Sequence, residues 1–285
     1  LTLLAALLLA SSAAPLAPPP GDTLVWSDEF EGRGLPDAAK WRYDTQFNKR
    51  GWHNEERQYY AAGRRKNARL KGGRLIIEAR HEPKAAARLP DWGGQPYTSA
   101  RLVTRGTASW TYGFFEIRAK LPCARGTWPA IWMLADRSPA RWPGDGEIDI
   151  MEHVGHDPNV VHQSVHTEAF NHVKGTHKTA TRRVEEACGA FHTYQLDWRA
   201  DRIRMGIDGE PVFTFDRTGG GRAEWPFDGP QYLILNIAVG GTWGGAQGVD
   251  DAALPQRMEV DYVRVWQPAQ DKAATPQAAA GAARP

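Results

Sequence analysis

Cysteine is scarce in this chain: Cys123 and Cys188 are the only two among 285 residues. That excludes a disulfide-built scaffold and a C-x-x-C metal knuckle. In an oxidising compartment the two can pair; otherwise they stand as separate buried thiols. Charge of one sign is also missing. Thirty-five basic against 33 acidic residues leave a net charge of +2, and no Lys/Arg block stands out, so a nucleic-acid partner is not expected. Long apolar runs are absent too. The longest, in "LTLLAALLLA" (1–10), covers about ten residues, roughly half of what a membrane span needs. No amphipathic helical pattern recurs, which argues against a βα barrel, and there is no internal repeat.

What is abundant is tryptophan, with 12, alongside 29 glycines and 20 prolines. Beyond core packing, flat indole faces are platforms for the C–H faces of sugars. "LTLLAALLLASSAAPLAPPP" (1–20) passes from an apolar run through small residues to prolines, the pattern of a secretory leader and Pro-rich linker. The protein is therefore expected to be secreted or periplasmic, with no membrane span. Residues 21–267 read as one all-β domain of apolar and aromatic runs between Gly/Pro/Asp turns, such as "RLIIEARHE", "TWPAIWML" and "QYLILNIAVGG". In "YGFFEIRAKL", Phe115, Ile117 and Ala119 alternate with Glu116, Arg118 and Lys120, one face dry and one wet. Residues 268–285, rich in Ala and Pro, cannot bury a core and are expected to be disordered.

The chemistry concentrates in "GDGEIDIMEHVG" (144–155). On a strand, Ile148 and Ile150 face the core, and Glu147 and Asp149 face out. Glu152 lies an odd number of residues from Glu147, so strict alternation would bury it and expose Met151. A bulge at Ile150–Met151 absorbs the extra residue and returns Glu152 to the face of the other acids. Three crowded carboxyls raise at least one proton affinity, leaving an acid beside a carboxylate. Retaining glycoside cleavage needs that pair, about 5–5.5 Å apart. On spacing alone, a cation site built from E-x-D-x-x-E or a plain solvated strand stays open.

These residues resemble the catalytic strand of glycoside hydrolase family 16. The resemblance extends through "LVWSDEF", "GWHNEERQYY", "YTSARLVTRG", "YGFFEIRAKLP", "GTWPAIWML", "FHTYQLDW", "LILNIAVGGTWGG" and "VDYVRVW", and is greatest to its laminarinase-like branch. It implies a β-jelly roll of two curved antiparallel sheets with a concave substrate cleft. It implies a retaining endo-acting hydrolase of β-1,3-linked or mixed β-1,3/1,4 glucan, with Glu147 as nucleophile, Glu152 as acid/base and Asp149 assisting. Asn54, Arg101, Trp128, Trp132, Trp142, Asn236 and Trp243 then contact sugar, and His166 is expected in the cleft, while His153 faces away. Some relatives carry a structural Ca2+, for which Glu29, Gly73 and Asp261 would be the ligands; catalysis itself needs no cofactor. A monomer is expected. The same scaffold also admits an agarose- or carrageenan-type hydrolase, a transglycosylase, or a non-catalytic glucan-binding protein. The last typically lacks the two glutamates present here.

Overall fold

The computed structural model describes residues 14–269; the start of the expected leader and nearly all of the C-terminal tail lie outside the described residues. The strands are β1 (Asp22–Asp28), β2 (Arg42–Tyr43), β3 (Gln58–Tyr60), β4 (Ala68–Leu70), β5 (Leu75–His81), β6 (Tyr97–Ser99), β7 (Arg101–Val103), β8 (Gly113–Lys120) and β9 (Thr127–Ala135). They continue with β10 (Glu147–His153), β11 (Val160–His166), β12 (Lys178–Arg183), β13 (His192–Trp198), β14 (Arg202–Ile207), β15 (Glu210–Asp216), β16 (Gln231–Val239) and β17 (Gln256–Pro268). One sheet runs β15-β14-β13-β8-β17-β5-β6-β3, with β1 on β17 and β4 on β5. The other runs β12-β11-β10-β9-β16-β7-β2. Pairing is antiparallel apart from β3 with β6. The architecture is the expected all-β jelly-roll sandwich. Among the described residues, no helix is long and apolar enough to cross a membrane.

Alternation builds the core. Phe115, Ile117 and Ala119 of β8 are buried against Ile131 and Met133 of β9, Ile148 of β10 and Leu233, Leu235 and Ile237 of β16. Each such Phe, Ile, Leu or Met side chain contributes about 1.5–3 kcal/mol on burial. β16 is buried along its whole length because its second face lies under a smaller cluster. There Tyr232 and Ile234 join Val103, with Trp132 and Leu134 packed against them. Trp132 of this cluster pairs with Asp149 across β9 and β10, so the second layer lies on the face that carries the acids.

Two features pin the ends of the fold. Cys123 and Cys188 form a disulfide with Cα atoms 5.8 Å apart. It ties the loop after β8 to the β12–β13 loop, so of the two expectations for the thiols, pairing holds. The folded domain also begins earlier than residue 21. Leu16 is 3% exposed, its N–H donates to Gly209 O at 2.7 Å, and its carbonyl accepts from Gln195 Nε2 at 3.2 Å. It occupies the space left by Gly206, where a Cβ would collide with the leucine. A single apolar residue among prolines carries no periodic signal, so Leu16 falls within the linker expected over 1–20.

Candidate active site

β10 carries the bulge. Against β9, Asp149 pairs with Trp132 and Met151 with Ile131, leaving Ile150 as the additional residue. Against β11, Asp149 pairs with Ser164 and Glu152 with His162. Ile150 and Met151 are both fully buried, and Glu152 returns to the side of Glu147 and Asp149. The strand is launched by Gly146, at φ +87°, where a Cβ would strike Phe227 and Pro226. A side chain at that position would push Glu147 out of register.

Each acid has its own tether. Glu147 Oε2 accepts from Trp142 Nε1 at 2.7 Å, and Glu152 Oε1 accepts from Trp128 Nε1 at 3.0 Å. Asp149, 1% exposed, has Oδ2 3.3 Å from His166 Nε2. Among the described residues no Lys or Arg forms an ion pair with any of the three; His166 is the only partner of that kind. Burial first, and then the charge of Asp149, pushes the half-buried Glu147 up to about 8. Burial and the charge of Glu147 push Glu152 up to about 7. Burial and Glu152 raise Asp149 well above the ordinary carboxylate range. Crowded and desolvated in this way, the three carboxyls do not all ionise together at neutral pH.

Around it, Trp128 meets Trp243 edge-on at 5.2 Å, and His162 meets Trp243 at 4.8 Å. Trp142 is 44% exposed at the other end. Asn54 lies in the left-handed region at φ 58°, and its carbonyl accepts from Thr242 N at 2.7 Å. That contact places the Asn54 loop beside the Trp243 segment. His153 is buried, facing away as expected, with Nε2 3.8 Å from Cys123 Sγ.

A family model for glycosyl hydrolases family 16 matches residues 55–264. The chain belongs to that family. Beta-glucanase of Rhodothermus marinus is 55% identical over 251 residues, covering 85% of this chain and 84% of the relative. SCLam, a non-specific endo-beta-1,3(4)-glucanase of family GH16, superimposes with a TM-score of 0.86 at 54% identity, covering 90% of this chain and 94% of that one. Glucan endo-1,3-beta-glucosidase A1 of Niallia circulans is 34% identical over 261 residues; the match covers 86% of this chain and 38% of that longer relative. The chain is accordingly a glycoside hydrolase.

Within this family 16 site, several residues expected to touch sugar are instead occupied by the protein. Asn236 is 4% exposed; its Oδ1 accepts from Trp132 Nε1 at 2.7 Å, and its Nδ2 donates to Tyr60 Oη at 3.0 Å. Both ends of the amide are taken, so Asn236 orients Trp132. Arg101 is sandwiched between Trp52 at 5.1 Å and Trp132 at 4.7 Å and pairs with Asp44 at 3.0 Å. Its guanidinium stiffens the same wall. His166 lies with the acids as expected, its ring against Asp149 at 3.3 Å.

Glu56 lies in the loop that carries Asn54. It accepts from Gln58 Nε2 at 2.8 Å, but its charge also helps to raise Glu152. Nothing local in "HNEERQ" signals that long-range effect. The expected calcium ligands do not fit a cation. Glu29 is taken by Arg264 at 2.8 and 3.0 Å, and Asp261 by Arg118 at 2.6 Å, with Arg74 at 4.0 Å. Guanidinium groups already neutralise both carboxylates, so a divalent ion there would have to displace them. Among the described residues, two other groups bring ligand atoms within 4.8 Å of one another: Glu147, Asp149 and His166, and Cys123, His153 and Cys188. The sulfurs of the second are bonded to each other and offer no thiolate.

Proposed function

We propose that the chain is a retaining endo-β-1,3-glucanase that also accepts mixed β-1,3/1,4-glucan. The observation that carries this reading is the bulge that sets Glu147 and Glu152 on one face, each held by an indole N–H. Glu147 attacks the anomeric carbon while protonated Glu152 delivers its proton to the departing glycosidic oxygen. The glycosyl ester on Glu147 is then hydrolysed by water that Glu152 deprotonates. The change of role at Glu152 follows from electrostatics. The Glu147 charge helps to raise Glu152 in the free enzyme, and esterification removes that charge. Glu152 then holds a proton less tightly and can act as base after acting as acid. Asp149, wedged between them with His166 behind, raises Glu147 by its charge and steadies the pair.

The absence of Lys or Arg pairing with the trio favours an uncharged glucan over a sulfated galactan. Export is part of the same reading, supported by the leader pattern in residues 1–20 and by the disulfide, which persists in oxidising compartments. The test is a panel of laminarin, lichenan, cellulose, agarose and carrageenan with product analysis. Laminarin is expected to be cut to oligosaccharides with retained β configuration. An enzyme that leaves laminarin and lichenan intact while cutting a galactan sinks the assignment.

A further inference from the structure

The loop that follows β8 is pinned from two sides even without its covalent cross-link. Leu121 N donates to Ala187 O at 3.1 Å, which joins it to the β12–β13 loop. Thr127 Oγ1 donates to Ala124 O at 2.8 Å, and Gly155 N, just past β10, donates to Thr127 O at 2.9 Å. Gly155 lies so close that a Cβ there would collide with the Ala124 carbonyl. Three separate elements therefore meet at one point, and each brings a metal-ligating residue: Cys123, Cys188 and His153. Their ligand atoms all lie within 4.8 Å of one another.

His153 is the odd member. It is fully buried, and its Nδ1 has no hydrogen-bond partner among the described residues. Its Nε2 faces Cys123 Sγ at 3.8 Å. Burying an imidazole in this way is costly while the sulfurs are bonded to each other, because a disulfide is a poor partner. Separated into thiolates, the same sulfurs complete a set of two thiolates and one imidazole, the donor chemistry of zinc. Zinc bonds of about 2.0–2.3 Å place neighbouring ligand atoms about 3.5–3.8 Å apart, close to the N–S separation here. With Cα atoms 5.8 Å apart, rotation of the two cysteine side chains parts the sulfurs by that much. Both cysteines are half-buried, which leaves a solvent side for water as fourth ligand.

We propose that, when the disulfide is reduced, Cys123, Cys188 and His153 bind one Zn2+ ion, which joins the same two loops to the end of β10. A phosphine reductant produces the required state. It takes oxygen from one water and loses two electrons, and each sulfur gains one electron and one proton. Zn2+ then displaces both thiol protons. The loops are thereby tied under oxidising and reducing conditions alike.

The test titrates phosphine-reduced protein with Co2+ as a spectroscopic stand-in, under argon, with oxidised protein as control. The reduced chain is expected to take up one Co2+ with thiolate-to-cobalt charge-transfer and tetrahedral d–d bands, which Zn2+ bleaches. The oxidised chain is expected to show neither. Reduction should lower Tm, and added Zn2+ should restore at least about half of the loss. His153→Asn, checked for folding by circular dichroism, should weaken Co2+ binding at least about tenfold. Cys123→Ser, which keeps the imidazole and one thiolate, should lose most of the charge-transfer intensity. A reduced chain without the charge-transfer bands overturns the proposal, and so does an oxidised chain that gives the same ones. Unchanged affinity in a folded His153→Asn overturns it too. Activity on glucan enters none of these readouts, so the site stands or falls apart from the enzymatic assignment.

Discussion

The outer face of the ten-stranded sheet and the acid-bearing face of the seven-stranded sheet both carry buried or half-buried acids, and treat them in opposite ways. On the outer face, Glu259 sits among Lys120, Arg257 and Arg74 at 3.2, 3.2 and 3.3 Å. Glu78 has Arg69 at 2.6 Å and Arg80 alongside, and Glu29 has Arg264. Burial works to raise Glu259, but the three cations offset it and hold the carboxyl below its usual value. On the face of the catalytic strand, Glu147, Asp149 and Glu152 have no Lys or Arg ion-pair partner among the described residues, and all three are raised. The same residue types serve structure where cations surround them and chemistry where cations are withheld.

The largest effect expected from breaking this contrast is on rate. Glu147→Gln and Glu152→Gln should each lower kcat on laminarin by at least about a thousandfold with the fold intact by circular dichroism, whereas Glu259→Gln should leave kcat within about twofold. A fully active Glu147→Gln would exclude the double-displacement assignment. Next in size is the disulfide joining the loops beside His153. By chain entropy it is worth on the order of 4 kcal/mol for its 65-residue separation, so Cys123→Ser/Cys188→Ser should lower Tm by several degrees in a scanning calorimeter.

A smaller effect has opposite signs on the two faces. The folded state holds protons on Glu147 and Glu152 more tightly than the unfolded chain, whose carboxyls titrate near 4.5. Stability from these groups is thus highest below about 4.5 and declines as pH rises towards about 8. Glu152→Gln should accordingly raise Tm at pH 8 and change it little at pH 4. Glu259 is lowered, so its contribution is present above its unfolded value and lost as pH falls through the folded one. Glu259→Gln should lower Tm at pH 8 and have less effect near pH 3. Equal signs for the two amides at pH 8 would refute the contrast. The smallest effect concerns Asn236→Ala. With the Trp132 indole released, KM should rise about two- to fivefold at nearly constant kcat, measured on laminarin.

Much of this was legible in the sequence where the signal is local. Alternation in β8 predicted its dry and wet faces, and Met151, out of place in an alternating strand, gave away the bulge. Partner choice was not legible, because it is decided by residues far apart in the chain. Arg101 and Asn236 had the chemistry of sugar ligands, yet Trp52, Trp132, Asp44 and Tyr60 claim them. Glu29 and Asp261 had the chemistry of calcium ligands, yet Arg264 and Arg118 reach them first. Leu16 shows the same blindness at the domain edge.

The bulge at Ile150 also has a genetic reading. Across β9, Glu152 is paired with Ala130 and Glu147 with Leu134, an even interval on the partner strand. Losing one codon at Ile150 or Met151 would restore a regular ladder and still leave three carboxyls on the cleft side, now evenly spaced. A one-residue deletion elsewhere between Glu147 and Glu152 would remove Asp149 or move it to the core side. In this strand, chain length can vary by one only where the ladder already holds a spare residue.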